Sequence, residues 1–432
     1  MSLLSRRQLM SVPLSLGAVA PTATSASSPL QVATQPGPVL AIGGALRLDH
    51  ATVWNRLVQE AGGPGARIAV FATASENPQR TGERIVNTLK RYGAQAEFIP
   101  LAPKLRGVDL AAVRDDPALL QRMEGMQGVF FSGGAQELIT ASLQPGGQPS
   151  PLLQALRALQ ARGGLVAGTS AGAAVMSEWM FRDAQDVLAV LKGRLRDGHE
   201  LDRGLGFAGS HLFIDQHFLK RGRIARLLPA MYAKGYRFGL GVEEDSAALI
   251  RGGEIEILGA RGALLVDLSA ASHALGRPHF NLRGAALTYL DRGDRHDLHT
   301  NTTTPHPDKL AGRIDPRAAD FKPSVTRVPF FPDILGDNAI VHAMALLLDS
   351  PEQEAKGLAF NGRALLERKA VSDDGGHDPD PTLGFEFRLY KGPDTLGHNT
   401  GAWGGDDYSV QRVYLDVTPV RLQSPLYRHL KT

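Results

Sequence analysis

The stretch Leu165-Val166-Ala167-Gly168-Thr169-Ser170-Ala171-Gly172-Ala173-Ala174-Val175-Met176 joins a short apolar run to a run of helix formers, with Ser170 flanked two residues away on each side by glycine. An apolar run of that length reads as a buried strand and its alanine-rich continuation as a helix. Gly-x-Ser-x-Gly between strand and helix is the pattern of a nucleophile elbow, in which glycines without a Cβ let the chain turn sharply and hold the serine strained at the tip. The Ala171 amide then lies at a helix N-terminus, where it can stabilise developing negative charge. The plainer alternative is a glycine-rich turn that carries a serine by chance.

Around this stretch the same alternation continues. Strands are expected at Val39–Ile42, 67–72, 96–99, Gly128–Phe131 and 165–167, separated by helical patterns at 51–61, 78–92, Pro117–Glu124 and 152–161. That order predicts an α/β fold with a doubly wound, mostly parallel sheet, whose ligands sit at the carboxyl ends of the strands. Gly43-Gly44, Ser132-Gly133-Gly134 and Gly168-Thr169-Ser170 all fall at such ends. Residues 246–250 and 255–258 read as a hairpin closing this unit, which is expected to span 39–290. Beyond it, 291–323 reads as a loop or linker, 337–348 as a helix, and 384–390 and 409–417 as strands. The expectation is therefore a β-rich C-terminal appendage over 291–432.

The 432 residues are 43% hydrophobic and 21% charged, the balance of an ordinary folded chain. Cysteine is absent, which excludes disulfides, thiolate metal sites and a cysteine nucleophile. The formal charge of +3 includes Arg6 and Arg7, and no basic run interleaved with aromatics marks a nucleic-acid partner. Ser5-Arg6-Arg7-Gln8-Leu9-Met10, followed by a modest apolar stretch and small residues, has the order of a twin-arginine export signal. It is too short and interrupted to span a bilayer as a helix. The expectation is a signal over 1–26, a linker over 27–38, an exported protein in the periplasm or outside the cell, and no membrane association once the signal is removed.

A serine hydroxyl needs a base, because it is a poor nucleophile near neutrality. Of the 13 histidines, His217 is best placed, in Ile214-Asp215-Gln216-His217-Phe218 at the end of an apolar run and the start of an expected helix. It should reach the same sheet edge as Ser170. A third group must orient the imidazole and stabilise the imidazolium. Glu243-Glu244-Asp245, after another apolar run, supplies three candidates that the residues alone leave open. The amides of Gly133 or Gly134, with that of Ala171, are candidates for an oxyanion hole. Gly43-Gly44 lacks the full Gly-x-Gly-x-x-Gly, so no nucleotide cofactor is expected. His296, His299 and His306 share an Asp-rich loop, but its irregularity argues against a metal site, and none is expected.

Five segments in one order resemble the cyanophycinases, serine exopeptidases related to aspartyl dipeptidase (peptidase E), with a fold like that of class I glutamine amidotransferases. They are Ile42-Gly43-Gly44; Phe131-Ser132-Gly133-Gly134-Ala135-Gln136; Gly168-Thr169-Ser170-Ala171-Gly172-Ala173; Asp215-Gln216-His217-Phe218 with Arg221-Gly222-Arg223; and Gly241-Val242-Glu243-Glu244-Asp245-Ser246-Ala247. The resemblance covers roughly 39–290. It implies a triad of Ser170, His217 and Glu244, which is what singles out Glu244 among the three acids. It also implies functional roles for Gln136, Asp215, Gln216, Arg221, Arg223 and Arg226.

The substrate implied is cyanophycin, a poly-aspartate with arginine on each side-chain carboxyl, and the product is the β-aspartyl-arginine dipeptide. Arginines suit its carboxylates, and Asp215 or another acid its guanidinium. Two departures, Ala135 where many relatives carry an acid and Glu243 where Asp is usual, bear on the pocket more than on the triad. A dipeptidase for short aspartyl peptides and a catalytically silent exported binding protein are the competing readings, and a homodimer is among the assemblies left open.

Overall fold

The computed structural model describes residues 36–274, 279–367, 380–401 and 407–423, with Leu426 and Leu430. The expected export signal, the linker up to residue 35 and residues 402–406, between the two expected C-terminal strands, lie outside the described residues.

Five strands form the parallel half of a nine-stranded sheet, in the order Gln95–Ile99, Arg67–Phe71, Gly128–Phe131, Leu165–Thr169, Val39–Ile42. Each is four or five residues long, and all but the edge strand Gln95–Ile99 are largely buried, with neighbouring side chains feeding opposite faces. Phe130 packs with Trp54, Val58 and Ile85 on one face, while Val129 and Phe131 pack with Leu119, Ile139 and Leu156 on the other. Helices therefore cover both faces. Three of them start with the same device, a polar cap followed by proline: Asn77 before Pro78–Arg91, Asp116 before Pro117–Glu124 and Ser150 before Pro151–Ala161. In each, the cap side chain accepts a hydrogen bond from an otherwise orphaned amide, a contribution of about 1 kcal/mol, and the proline costs nothing because its missing N–H has no helical partner.

The hairpin Ser246–Arg251 and Glu254–Gly259 adds antiparallel to Val39–Ile42. Here the linker expected over 291–323 is corrected: Arg295–Asp297 and Thr302–Thr304 pair with each other and extend the first sheet past Glu254–Gly259, and a 3-10 helix, Pro307–Gly312, follows.

A second, eight-stranded sheet starts with Leu212–Gln216 parallel to Phe238–Val242 and continues antiparallel through Ala263–Asp267 and Leu282–Leu290. Leu282–Leu290 then pairs with Ser409–Arg421, which pairs with Leu383–His398. The C-terminal part is β-rich, and its long strands continue a sheet begun before residue 290. The expected boundary at 290/291 therefore falls inside a continuous sheet. One face of this second sheet, through Leu212, Ile214, Leu240, Val242 and Leu265, joins the core beneath the first. Its other face, through Phe213, Val266 and Leu287, meets the helices Ile224–Lys234 and Ala339–Leu348.

Candidate active site

Ser170 ends the strand Leu165–Thr169 and precedes the short helix Ala171–Ala174. Its backbone has φ 54° and ψ −113°, a strained conformation for a residue with a side chain. The turn is fixed by close packing. A Cβ on Gly172 would sit 2.2 Å from the Phe131 carbonyl oxygen, so only glycine lets the elbow press against the neighbouring strand. The Ser170 amide donates to the Ile42 carbonyl, which holds the elbow to the other neighbouring strand as well.

His217 follows Leu212–Gln216 in the second sheet, so the expectation that base and serine share one sheet edge is corrected. The two sheets bring their carboxyl ends together instead. The His217 amide donates to the Gly43 carbonyl at 2.8 Å, and a Cβ on Gly44 would lie 2.3 Å from the imidazole Cε1. Gly43-Gly44 is thus the bed on which the ring lies. That role escapes a reading that tests the pair only as a nucleotide loop. The helix expected to start at His217 starts later, at Ile224.

His217 Nε2 is 2.9 Å from Ser170 Oγ, and His217 Nδ1 is 2.5 Å from Glu244 Oε1. With Nδ1–H donating to Glu244, Nε2 is left as the acceptor for the serine proton, the arrangement a general base requires. Burial holds the His217 pKa below the ordinary histidine range, against the hydrogen bond to Glu244, and the charges of Arg221 and Arg223 push the same way as burial. The ring is therefore neutral and basic near pH 7.

The three adjacent acids have three separate engagements. Glu243 is fully buried, and its Oε2 accepts from the amides of Leu219 (2.6 Å) and Lys220 (3.0 Å), fixing the loop after His217. Glu244 meets the imidazole. Asp245 accepts from the Arg47 amide and Nε at 3.1 and 2.7 Å.

The other expected site residues divide between the cleft and the interior. Gly133 and Gly134 line a cleft of about 430 Å³ together with Ser170 and His217. A Cβ on Gly133 would be 3.1 Å from Ser170 Cβ, so this backbone runs directly beside the serine. Among the described residues the amides of Gly133, Gly134 and Ala171 have no acceptor. Gln216 is buried with its Oε1 3.5 Å from Ser170 Oγ. Gln136 donates through Nε2 to the carbonyls of Phe181 (2.7 Å) and Arg182 (3.0 Å).

Asp215, Arg223 and Arg226, expected to meet ligand, are instead buried and bonded inside the protein. Arg226 clamps Asp215 with Nε–Oδ2 at 2.8 Å and Nη2–Oδ1 at 2.6 Å, lies over the Phe181 ring and donates to the Ala184 carbonyl. Arg223 donates to the Gln216 carbonyl at 2.5 Å. This network sits behind the loop that carries His217 and ties the end of its strand in place. Arg221 alone of the three arginines is exposed. His296 bonds Thr303, and no group of three potential metal ligands converges among the described residues. Among them, too, no helix is long and apolar enough to cross a membrane.

No family model matches the chain. A solved peptidase from an acI-B1 Actinobacterium is 17% identical with a TM-score of 0.46, covering 61% of this chain and 98% of its own. Two curated relatives, both cyanophycinases, are closer in sequence. That of Trichormus variabilis is 30% identical over 277 residues, 62% of this chain and 87% of the relative. That of Synechococcus elongatus is 31% identical over 281 residues, 61% of this chain and 80% of the relative. A match that spans most of each relative at this identity shows that the chain belongs to the cyanophycinase family.

Proposed function

We propose that this protein is a serine exopeptidase that hydrolyses cyanophycin to β-aspartyl-arginine dipeptides through an acyl-enzyme. Family membership supports peptide hydrolysis. The single observation that carries the mechanism is the hydrogen-bonded chain from Ser170 Oγ through His217 to Glu244. In this reading His217 Nε2 takes the Ser170 proton as Oγ attacks the carbonyl carbon. The tetrahedral oxyanion is met by the amides of Ala171 and of Gly133 or Gly134, which have no internal acceptor to give up. The imidazolium, stabilised by Glu244, returns the proton to the leaving amine, and water repeats the sequence to release the product.

Exposed Arg221, whose charge is felt at His217, is the arginine of its segment suited to a substrate carboxylate. The parallel half of the first sheet, with the elbow at a strand end, supports the further likeness to class I glutamine amidotransferases. The test is incubation of purified protein with insoluble polymer and with short aspartyl dipeptides, with products identified by mass spectrometry. Release of β-aspartyl-arginine from polymer is expected. Cleavage of the short peptides alone would replace this reading with that of a dipeptidase. We also propose export, from Arg6-Arg7 and the apolar stretch behind them; N-terminal sequencing from the native host should find residues 1–26 removed, and an intact N-terminus would refute it.

A further inference from the structure

The cleft beside Ser170 has one wall that none of the family's motifs supplies. It is the first half of the helix Pro78–Arg91, where Thr81, Arg84 and Ile85 stand at the i, i+3, i+4 spacing that places side chains on one helix face, and all three line the cleft. Arg84 is exposed there and its guanidinium has no partner among the described residues. Its neighbours are committed elsewhere: Glu83 to Gln79, and Arg91 to the Leu48 carbonyl. Glu76 lines the same cleft and is paired with Lys104 at the rim, with Glu76 83% and Lys104 39% exposed. An ion pair so open to solvent is screened and contributes little, so exchanging its cation for a ligand's costs little. The cleft thus presents one unpaired guanidinium and one carboxylate with a replaceable partner, beside a nucleophile.

We propose that Arg84 and Glu76 form a two-point charge clamp for a zwitterionic residue flanking the scissile bond, Arg84 taking its carboxylate and Glu76 its cationic side chain in place of Lys104. The clamp rests on the function proposed above, since an arginine joined through its α-amine keeps both a free carboxylate and a guanidinium. Arg84 offers the fork that a carboxylate matches in two parallel hydrogen bonds, and Glu76 the acceptor pair that a guanidinium matches.

The test is a charge cycle by calorimetry on full-length Ser170→Ala protein, which cannot turn its ligand over. The ligands are β-aspartyl-arginine, its carboxamide (no carboxylate) and β-aspartyl-citrulline (no cation). Adding Arg84→Gln should weaken the parent dipeptide roughly 10- to 100-fold. It should weaken the citrulline ligand equally and leave the already weakened carboxamide unchanged. Glu76→Gln should show the reverse selectivity. Equal losses for all three ligands, or none, would overturn the clamp while leaving the proposed function standing. If the parent dipeptide did not bind and the active protein left polymer intact, the function itself would fall and take the clamp with it.

Discussion

At Glu244, one methylene and one position in the chain decide which acid meets the His217 imidazole. Glu243 and Asp245 point away from the imidazole because successive residues at the end of a strand face opposite sides, and Asp245 has φ 55°, which turns the chain back toward Arg47. Ser170→Ala and His217→Ala should each remove most of the activity, and the double variant little more, because the members act as a unit. Glu244→Gln should leave a folded protein with a small residual rate, reduced by about 10⁴-fold if it follows other triads. Asp245→Asn should stay near wild type. Steady-state kinetics with a melting curve for each variant checks this, and an active Glu244→Gln beside an inactive, folded Asp245→Asn would refute the assignment.

A pH profile tests the same ring. With His217 as the proposed base, activity needs the neutral ring and should fall with pH below an apparent pKa that lies under 6.5, the ordinary histidine value. Arg221 lowers that pKa in the free protein by repelling the imidazolium, so Arg221→Gln should move the acid limb of kcat/KM toward higher pH. An unmoved limb would mean that Arg221 is not felt at the base.

At the scale of elements, the catalytic loop is held from two directions. Glu243 ties Leu219 and Lys220 from below, and the segment before the helix Ala339–Leu348 packs on the loop from outside. There Lys220 Nζ meets Asp337 Oδ2 at 2.5 Å, and a Cβ on Gly222, at φ 56°, would lie 2.4 Å from the Leu335 carbonyl oxygen. The two contacts carry different weights. The ion pair is exposed to solvent and screened, so Asp337→Asn should change kcat less than threefold. Gly222→Ala must displace either Leu335 or the loop bearing His217, and should lower kcat at least tenfold while leaving the melting temperature within a few degrees. Equal effects of the two substitutions would contradict this ranking.

The parallel strands and their helices were legible because each strand is a short apolar run and three helices announce themselves by a cap and a proline. Ser170 and His217 stood out for a related reason, since each ends such a run, whereas Glu244 was set apart from Glu243 and Asp245 only by the family resemblance. The second sheet was not. Leu282–Leu290 carries Arg283 and Gly284 inside it, breaking the alternation, and its partner Ser409–Arg421 lies more than a hundred residues away. The pairing of Asp215 with Arg226 was equally hidden, because an arginine beside a site reads the same in sequence whether it faces the ligand or its own carboxylate. Arg84 carried no signal at all; only the helix face reveals it.

For the whole molecule, the continuity of the second sheet decides what residues 291–432 are for. Cutting the chain after Leu290 would strip Leu282–Leu290 of its hydrogen-bonded partner and uncover Leu264, Val266 and Leu287, which pack in one core with Phe385, Phe387 and Leu415. A 1–290 fragment should therefore be insoluble or lack a cooperative melting transition, as an unpaired apolar edge invites aggregation. A soluble, cooperatively melting and active fragment would show that the catalytic half folds without the rest.

The placement of Ser170 on one sheet and His217 on the other makes activity a late event in refolding. The backbone hydrogen bonds within each sheet do not bring Ser170 to His217; until the two layers dock, the serine lacks its hydrogen-bonded base. In a stopped-flow experiment, circular dichroism should recover before hydrolytic activity, and the lag between them times the docking of the two layers. On the proposed mechanism Ser170 would stay unactivated until both layers have met, since its only basic partner among the described residues comes from the other sheet.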